Sequence, residues 1–102
     1  FLEEKGIRIL ERNFRSYHGE IDIIAMEEQC ILVVEVKMRS SRECGTPAEA
    51  VNLRKQKRIC YTFNYYRMKK QISENTAVRF DVLEVDRTFQ CHWIKNAFEF
   101  QE

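Results

Sequence analysis

No apolar run in this 102-residue chain approaches the roughly 20 residues that a bilayer-spanning helix needs, and no basic segment with an apolar stretch behind it opens the sequence. The cytoplasm is therefore the expected compartment. The four cysteines, Cys30, Cys44, Cys60 and Cys91, include no CxxC pair. Three of them sit in apolar patterns where cysteine behaves as a small hydrophobe, so neither zinc nor disulfides are expected. His18 and His92 stand apart, and Cys44 has no evident base beside it, which leaves no histidine- or cysteine-based catalytic centre to propose. Repeats, low-complexity tracts and linkers are missing too. With 12% aromatic residues the chain is not a disordered segment, and its length suits one domain over residues 1–102 with a core of its own.

What the chain does have is segregated charge. The formal net charge is +1, yet the stretch from Lys37 to Lys70 carries ten basic residues against two acidic ones, so the remainder is acidic. A local positive field of that kind suits a polyanion, and a solvated basic helix face is the alternative.

The rest is organised around Cys30-Ile31-Leu32-Val33-Val34-Glu35-Val36-Lys37-Met38, a run of strand type with two charges at its end. Side chains in a strand alternate faces, so Val33, Glu35 and Lys37 share one face and Val34, Val36 and Met38 take the other. The preceding stretch, Glu20 to Met26, puts Glu20, Asp22 and Ile24 on one face and Ile21, Ile23 and Ala25 on the other. Glu27-Glu28-Gln29 between them is short enough for an antiparallel hairpin. If its charged faces coincide, Glu20, Asp22, Glu35 and Lys37 converge.

Around this hairpin, Phe1 to Gly6 reads as a last helical turn closed by glycine, with the natural N-terminus expected upstream. A first strand is expected over Ile7 to Phe14, and a loop over Arg39 to Gly45. Thr46-Pro47-Ala48-Glu49 carries a capping box, predicting a helix from there to about Lys70. Its apolar stripe holds Ala48, Val51, Ile59, Thr62 and Tyr66, with Phe63 at the edge. Lys55 falls within that stripe, either snorkelling along its neighbours or aiming an ammonium at the site. Arg54, Gln56, Lys57 and Arg58 face outward. Val78 to Val85 is expected as a half-exposed strand with Asp81 turned to solvent, Phe89 to Lys95 as a last strand, and Asn96 to Phe100 as a tail.

Carboxylates on adjacent strands suit a hard divalent cation such as Mg²⁺, which prefers oxygen ligands and water. Asp22 and Glu35 are the candidate ligands, and Glu20 is a third or an accessory acid. Lys37 would stabilise charge on a phosphoryl group, and the chemistry implied is phosphodiester hydrolysis. Cross-strand ion pairs on an exposed sheet are the plainer alternative for such residues.

The order acid-x-acid, then Glu-x-Lys closing the next strand, then a helix, resembles the PD-(D/E)XK superfamily of restriction-endonuclease-like nucleases. Longer blocks are similar, in order, to the bacterial YraN-like family: Arg12-Asn13-Phe14-Arg15, Gly19-Glu20-Ile21-Asp22-Ile23-Ile24-Ala25, Val34-Glu35-Val36-Lys37-Met38-Arg39, Gly45-Thr46-Pro47-Ala48-Glu49-Ala50-Val51, Lys55-Gln56-Lys57-Arg58-Ile59, Arg79-Phe80-Asp81-Val82 and Trp93-Ile94-Lys95-Asn96-Ala97-Phe98. The resemblance implies an α/β, restriction-endonuclease-like fold, with a central mixed β-sheet of about five strands flanked by helices, close to Holliday junction resolvases. It also implies Mg²⁺ or Mn²⁺ on Asp22 and Glu35, a catalytic Lys37, an accessory Glu20 and a helix lysine, Lys55, at the site. The family's first helix carries a further acid, and this chain begins after that position; neither Glu3 nor Glu4 replaces it.

The function expected is a metal-dependent endonuclease acting on DNA, including branched DNA, bound through Arg39, Arg42, Arg54, Lys57 and Arg58. The competing readings are a non-catalytic nucleic-acid-binding module on the same scaffold and a protein-interaction domain. RNA in place of DNA and a homodimer stay open; a membrane partner is not expected.

Overall fold

The computed structural model describes residues 1–38 and 52–100. The capping box at Thr46 to Glu49 and the loop arginines Arg39 and Arg42 lie outside them.

The alternating segments form five strands, β1 (Arg8–Ser16), β2 (Gly19–Glu27), β3 (Cys30–Met38), β4 (Ala77–Val85) and β5 (Cys91–Phe98), with helix α1 (Leu53–Lys69) between β3 and β4. All five lie side by side in chain order. β1, β2 and β3 form an antiparallel meander, β4 runs parallel to β3, and β5 returns antiparallel to β4. A tight turn cannot join parallel neighbours, so the β3-to-β4 connection is a crossover, and α1 belongs to it. The result is the α/β architecture expected, a mixed sheet with a helix packed on it.

Two apolar layers hold the sheet. On one side Ile59, Phe63 and Tyr66 of α1 meet Ile24, Val33, Phe80 and Val82, and the enclosed Phe63 ring stands edge-on to Phe80 at 6.3 Å. On the other, Leu2 and Ile7 cluster with Ala25, Leu32, Val34 and Leu83. Neighbours in β3 point to opposite faces, so burial on both faces accounts for the unbroken run Ile31 to Val34. Each such side chain contributes roughly 1.5–3 kcal/mol of burial.

Several boundaries differ from expectation. The N-terminal turn is a 3-10 turn over Glu3–Lys5, closed by Gly6 at φ 82° as the glycine predicted. A continuous helix from Thr46 to Lys70 is overruled, because Asn52 is extended (φ −69°, ψ 167°) and its side chain accepts the Lys55 N–H at 2.9 Å. A short carboxamide at that position is a strong N-cap, and it starts α1 at Leu53. Phe63, expected at the stripe's edge, lies at the centre of the helix-side core. Ile21 also breaks strict alternation. It packs into the helix-side cluster with Ile24, while Ile23 packs on the opposite side, just where the β2–β3 ladder ends at Ile23↔Val34. β4 is interior rather than half-exposed: Phe80 through Glu84 are buried, and Asp81 is fully enclosed instead of facing solvent. β5 continues past Lys95 to Phe98, whose ring stacks on Phe80 at 5.2 Å.

One glycine positions the site. Gly19 has φ 149°, and a Cβ there would come 3.3 Å from Thr62 Oγ1 on α1. Its absence lets the start of β2 lie close under the helix, which brings the acids that follow toward the helix N-terminus.

Candidate active site

Asp22 on β2 and Glu35 on β3 follow directly from the last ladder pair, Ile23↔Val34, and so sit opposite one another at the end of the hairpin's regular pairing. There the Asp22 carboxylate accepts the Val36 N–H at 2.8 Å, giving that amide a side-chain acceptor where the ladder stops. Glu35 is only 5% exposed. Burial, then a hydrogen bond with Asp22 and the nearby Asp22 charge, push its carboxyl up to about 9, with Lys55 opposing the rise and Glu20 adding to it. Burial and the neighbouring acid therefore favour the protonated form of Glu35.

α1 supplies the opposite charge. Lys55 reaches from the helix to place Nζ 4.0 Å from Glu35 Oε1. Arg54 and Arg58, one turn apart, line the same cavity of about 620 Å³ that contains Glu20, Asp22 and Glu35, and Asn52 closes it at the helix start. The first-turn N–H groups of α1 add a partial positive charge at that end. The site sets a buried Glu35 and the more exposed Asp22 and Glu20 in one cavity with three cations of α1.

The sequence-derived residues distribute unevenly over this arrangement. Asp22, Glu35, Glu20 and Lys55 are brought together, but Glu20 stands at the edge with Arg15 Nε 3.4 Å from its carboxylate. Lys37 is half-buried, sits opposite Glu84 in the β3–β4 register, and is not among the described residues lining the cavity. Arg54, Lys57 and Arg58 are exposed on α1, as the helix pattern predicted. Arg39 and Arg42 lie outside the described residues. Asn52 was missed, although an Asn ahead of a run of helix formers is itself an N-cap signal; the stronger-looking Pro47 drew the boundary upstream.

As a donor set, the pair fits a hard cation of one kind. Among the described residues no group of three or more His, Cys, Asp or Glu is arranged to hold a metal ion. Two carboxylates beside open solvent suit Mg²⁺, which keeps several waters and is completed by substrate phosphates, and do not suit an all-protein cage.

Protonation of Glu35 sets a pH dependence. The folded-state pKa of Glu35 lies above its ordinary value, so between about 4.5 and about 9 the folded protein binds a proton that the unfolded chain has lost. Stability must then fall as pH rises through that window. Thermal unfolding in EDTA is expected to show a melting temperature declining from acid to alkaline pH, and a slope as large in a Glu35→Gln variant would refute the assignment.

A model of the family described as "Uncharacterised protein family UPF0102" matches residues 1–85. The chain is similar to a UPF0102 protein of Lachnoclostridium phytofermentans, 43% identical over 99 residues, covering 97% of this chain and 83% of that one. It is likewise similar to one of Alkaliphilus oremlandii, 44% identical over 102 residues, covering 96% and 87%. Among the described residues no helix is long and apolar enough to cross a membrane.

Proposed function

The chain belongs to the UPF0102 (YraN-like) family, and on that footing we propose that its pocket is the active site of a Mg²⁺- or Mn²⁺-dependent endonuclease that hydrolyses DNA phosphodiester bonds. The fold class proposed with it is restriction-endonuclease-like. The observation that carries the reading is the placement of Asp22 and Glu35 opposite one another at the end of the hairpin pairing, in a cavity that Arg54, Lys55 and Arg58 also line. Two acids alone would repel a phosphodiester. With a divalent ion between them and the substrate, the same acids become an asset.

Asp22 and Glu35 are the residues that hold the ion. When bound, Mg²⁺ or Mn²⁺ supplies Lewis-acid polarisation of the phosphoryl group and a lowered pKa for an attacking water. Arg54 and Arg58 hold the flanking phosphates by charge-assisted hydrogen bonds. Lys55 is the ammonium within reach of Glu35, and its charge favours the ionised carboxylate that a metal ligand must be. Lys37, further along β3, is held to the stabilising role that its place in the Glu-x-Lys pattern implies. Glu20 is an accessory acid that must leave Arg15 to approach the pair.

Incubation with linear and four-way DNA in Mn²⁺ tests the proposal, with Glu35→Ala and Lys37→Ala as controls. Cleavage by the native protein, lost in both variants, is the expected result. Binding without any cleavage would establish the second reading, a nucleic-acid-binding module without turnover, which the position of Lys37 outside the described cavity lining favours. Salt-insensitive behaviour with no binding would discard both.

A further inference from the structure

Helix α1 carries a second pattern that the pocket does not use. At 100° per residue, Arg54, Arg58, Tyr61, Tyr65 and Met68 fall on one stripe. Its first two members line the acidic pocket, and the remainder continue away from it toward the helix C-terminus. Tyr61 and Tyr65 are 47% and 45% exposed, values high for rings that large. The β1–β2 turn adds two more rings beside them. His18 lies 5.8 Å from Tyr61, and Tyr17, 99% exposed, stands edge-on to His18 at 5.6 Å. On the inner side Tyr65 stacks on the buried Phe14 at 6.2 Å, which anchors it to the core.

We infer that this aromatic row is a stacking platform for unpaired bases, over which a single DNA strand runs as it leaves the acidic pocket. The inference rests on the nuclease reading for its direction, and it narrows the substrate to DNA with a single-stranded segment next to the bond that is cut. Charge selects the occupant. α1 carries six basic residues and no acidic one, so an acidic polymer is favoured along its whole exposed side. The succession of two guanidiniums and then two rings selects among acidic polymers, because phosphates need the cations and base faces need the aromatics. A duplex hides its base faces in the stack and offers nothing to the tyrosines. The dimensions agree: from Arg58 to Tyr65 the helix rises about 10 Å, the span of about three nucleotides stacked at 3.4 Å.

The test is binding in EDTA, where turnover is suppressed, read as fluorescence anisotropy of labelled oligothymidylate and of a duplex of equal length. The double variant Tyr61→Leu/Tyr65→Leu is expected to lose about 5- to 100-fold in affinity for the single strand and to keep its affinity for the duplex. Tyr61→Phe/Tyr65→Phe, which keeps the rings, is expected to bind as the native protein does. Both positions are exposed, and an unchanged melting temperature shows that the fold is intact. Unaltered single-strand binding in the leucine variant, or an equal loss on duplex, overturns the platform. Failure of the nuclease reading looks different: the native protein binds the single strand through its tyrosines but cuts nothing in Mn²⁺.

Discussion

Glu35→Gln is expected to abolish DNA cleavage, by about 10³-fold or more, and at the same time to stabilise the metal-free protein at alkaline pH. The two effects have one cause. Glu35 is buried beside Asp22, and its charge is resisted by desolvation and by that neighbour. A glutamine of the same shape is neutral at every pH and can donate an N–H to Asp22 in place of the protonated Glu35 carboxyl. The cost of ionising the site disappears. What disappears with it is an anionic oxygen ligand for a hard cation, and loss of several kcal/mol of electrostatic stabilisation, at about 1.4 kcal/mol per tenfold, gives the stated rate effect. Steady-state cleavage in Mn²⁺ and melting in EDTA measure the two halves. Added Mg²⁺ is expected to raise the melting temperature of the native protein and leave that of Glu35→Gln unmoved. Native-like cleavage by the variant would remove Glu35 from the chemistry.

Asp81→Ala is expected to be the most damaging substitution for folding, although it lies outside the candidate site. The fully enclosed carboxylate accepts four hydrogen bonds: from Arg79 Nε at 2.9 Å and Arg79 Nη2 at 2.8 Å, from Trp93 Nε1 at 2.8 Å and from the Asn96 backbone N–H at 2.9 Å. It binds β4 to β5 where their register shifts between Phe80 and Val82, and it meets Asn96 in a left-handed conformation at φ 53°. Arg79 is also held by Glu27 at 3.2 Å and by the Trp93 ring, and its pKa is raised, chiefly by the hydrogen bonds to Asp81. Removing Asp81 leaves a half-buried guanidinium and two N–H donors without their acceptor. Breaking a buried pair in this way costs about 3–5 kcal/mol, against a total of about 5–15 for a domain of this size. Urea unfolding should show a large drop in midpoint, and Arg79→Met/Asp81→Leu should recover part of it. A midpoint shift below about 1 kcal/mol, the level of a surface ion pair, would contradict this account.

Asp81 also shows where sequence reasoning reached its limit. Alternation in Val78 to Val85 predicted a strand correctly, and an alternating strand usually has one wet face. Here the second face is covered: Arg79 and Asp81 pair locally, two residues apart, but the partners that complete them, Glu27 on β2 and Trp93 and Asn96 on β5, are beyond any local pattern. The hairpin was legible because a period of two fixes faces without knowledge of the rest of the fold, but the meeting of Asp22 and Glu35 depended on the register, which the ladder supplies, and Lys37, expected with them, does not line the described cavity. Ile21 escaped that rule at the point where the ladder ends. A single helix running through Asn52 was expected because Pro47 and Asn52 both carry N-terminal signals and a sequence does not rank them; α1 starts at Leu53, and Thr46 to Val51 lies outside the described residues. The stripe of Tyr61 and Tyr65 was not singled out from the sequence, because its exposure depends on which side of α1 meets the sheet, and that is decided by the strands.

The crossover between β3 and β4 has a kinetic consequence. β2 and β3 are joined by the turn Glu28–Gln29 alone, whereas the parallel β3–β4 pairing cannot form until the chain from Met38 to Ala77 has been gathered in. Closing a hairpin takes about 1–10 μs, while long-range pairing must first overcome the entropy of a large loop. During folding the two acids therefore meet early, before the arginines of α1 have docked over them. Repulsion between those two acids would therefore weigh on the fast hairpin step, while the later β3–β4 closure is set by the entropy of the long connection.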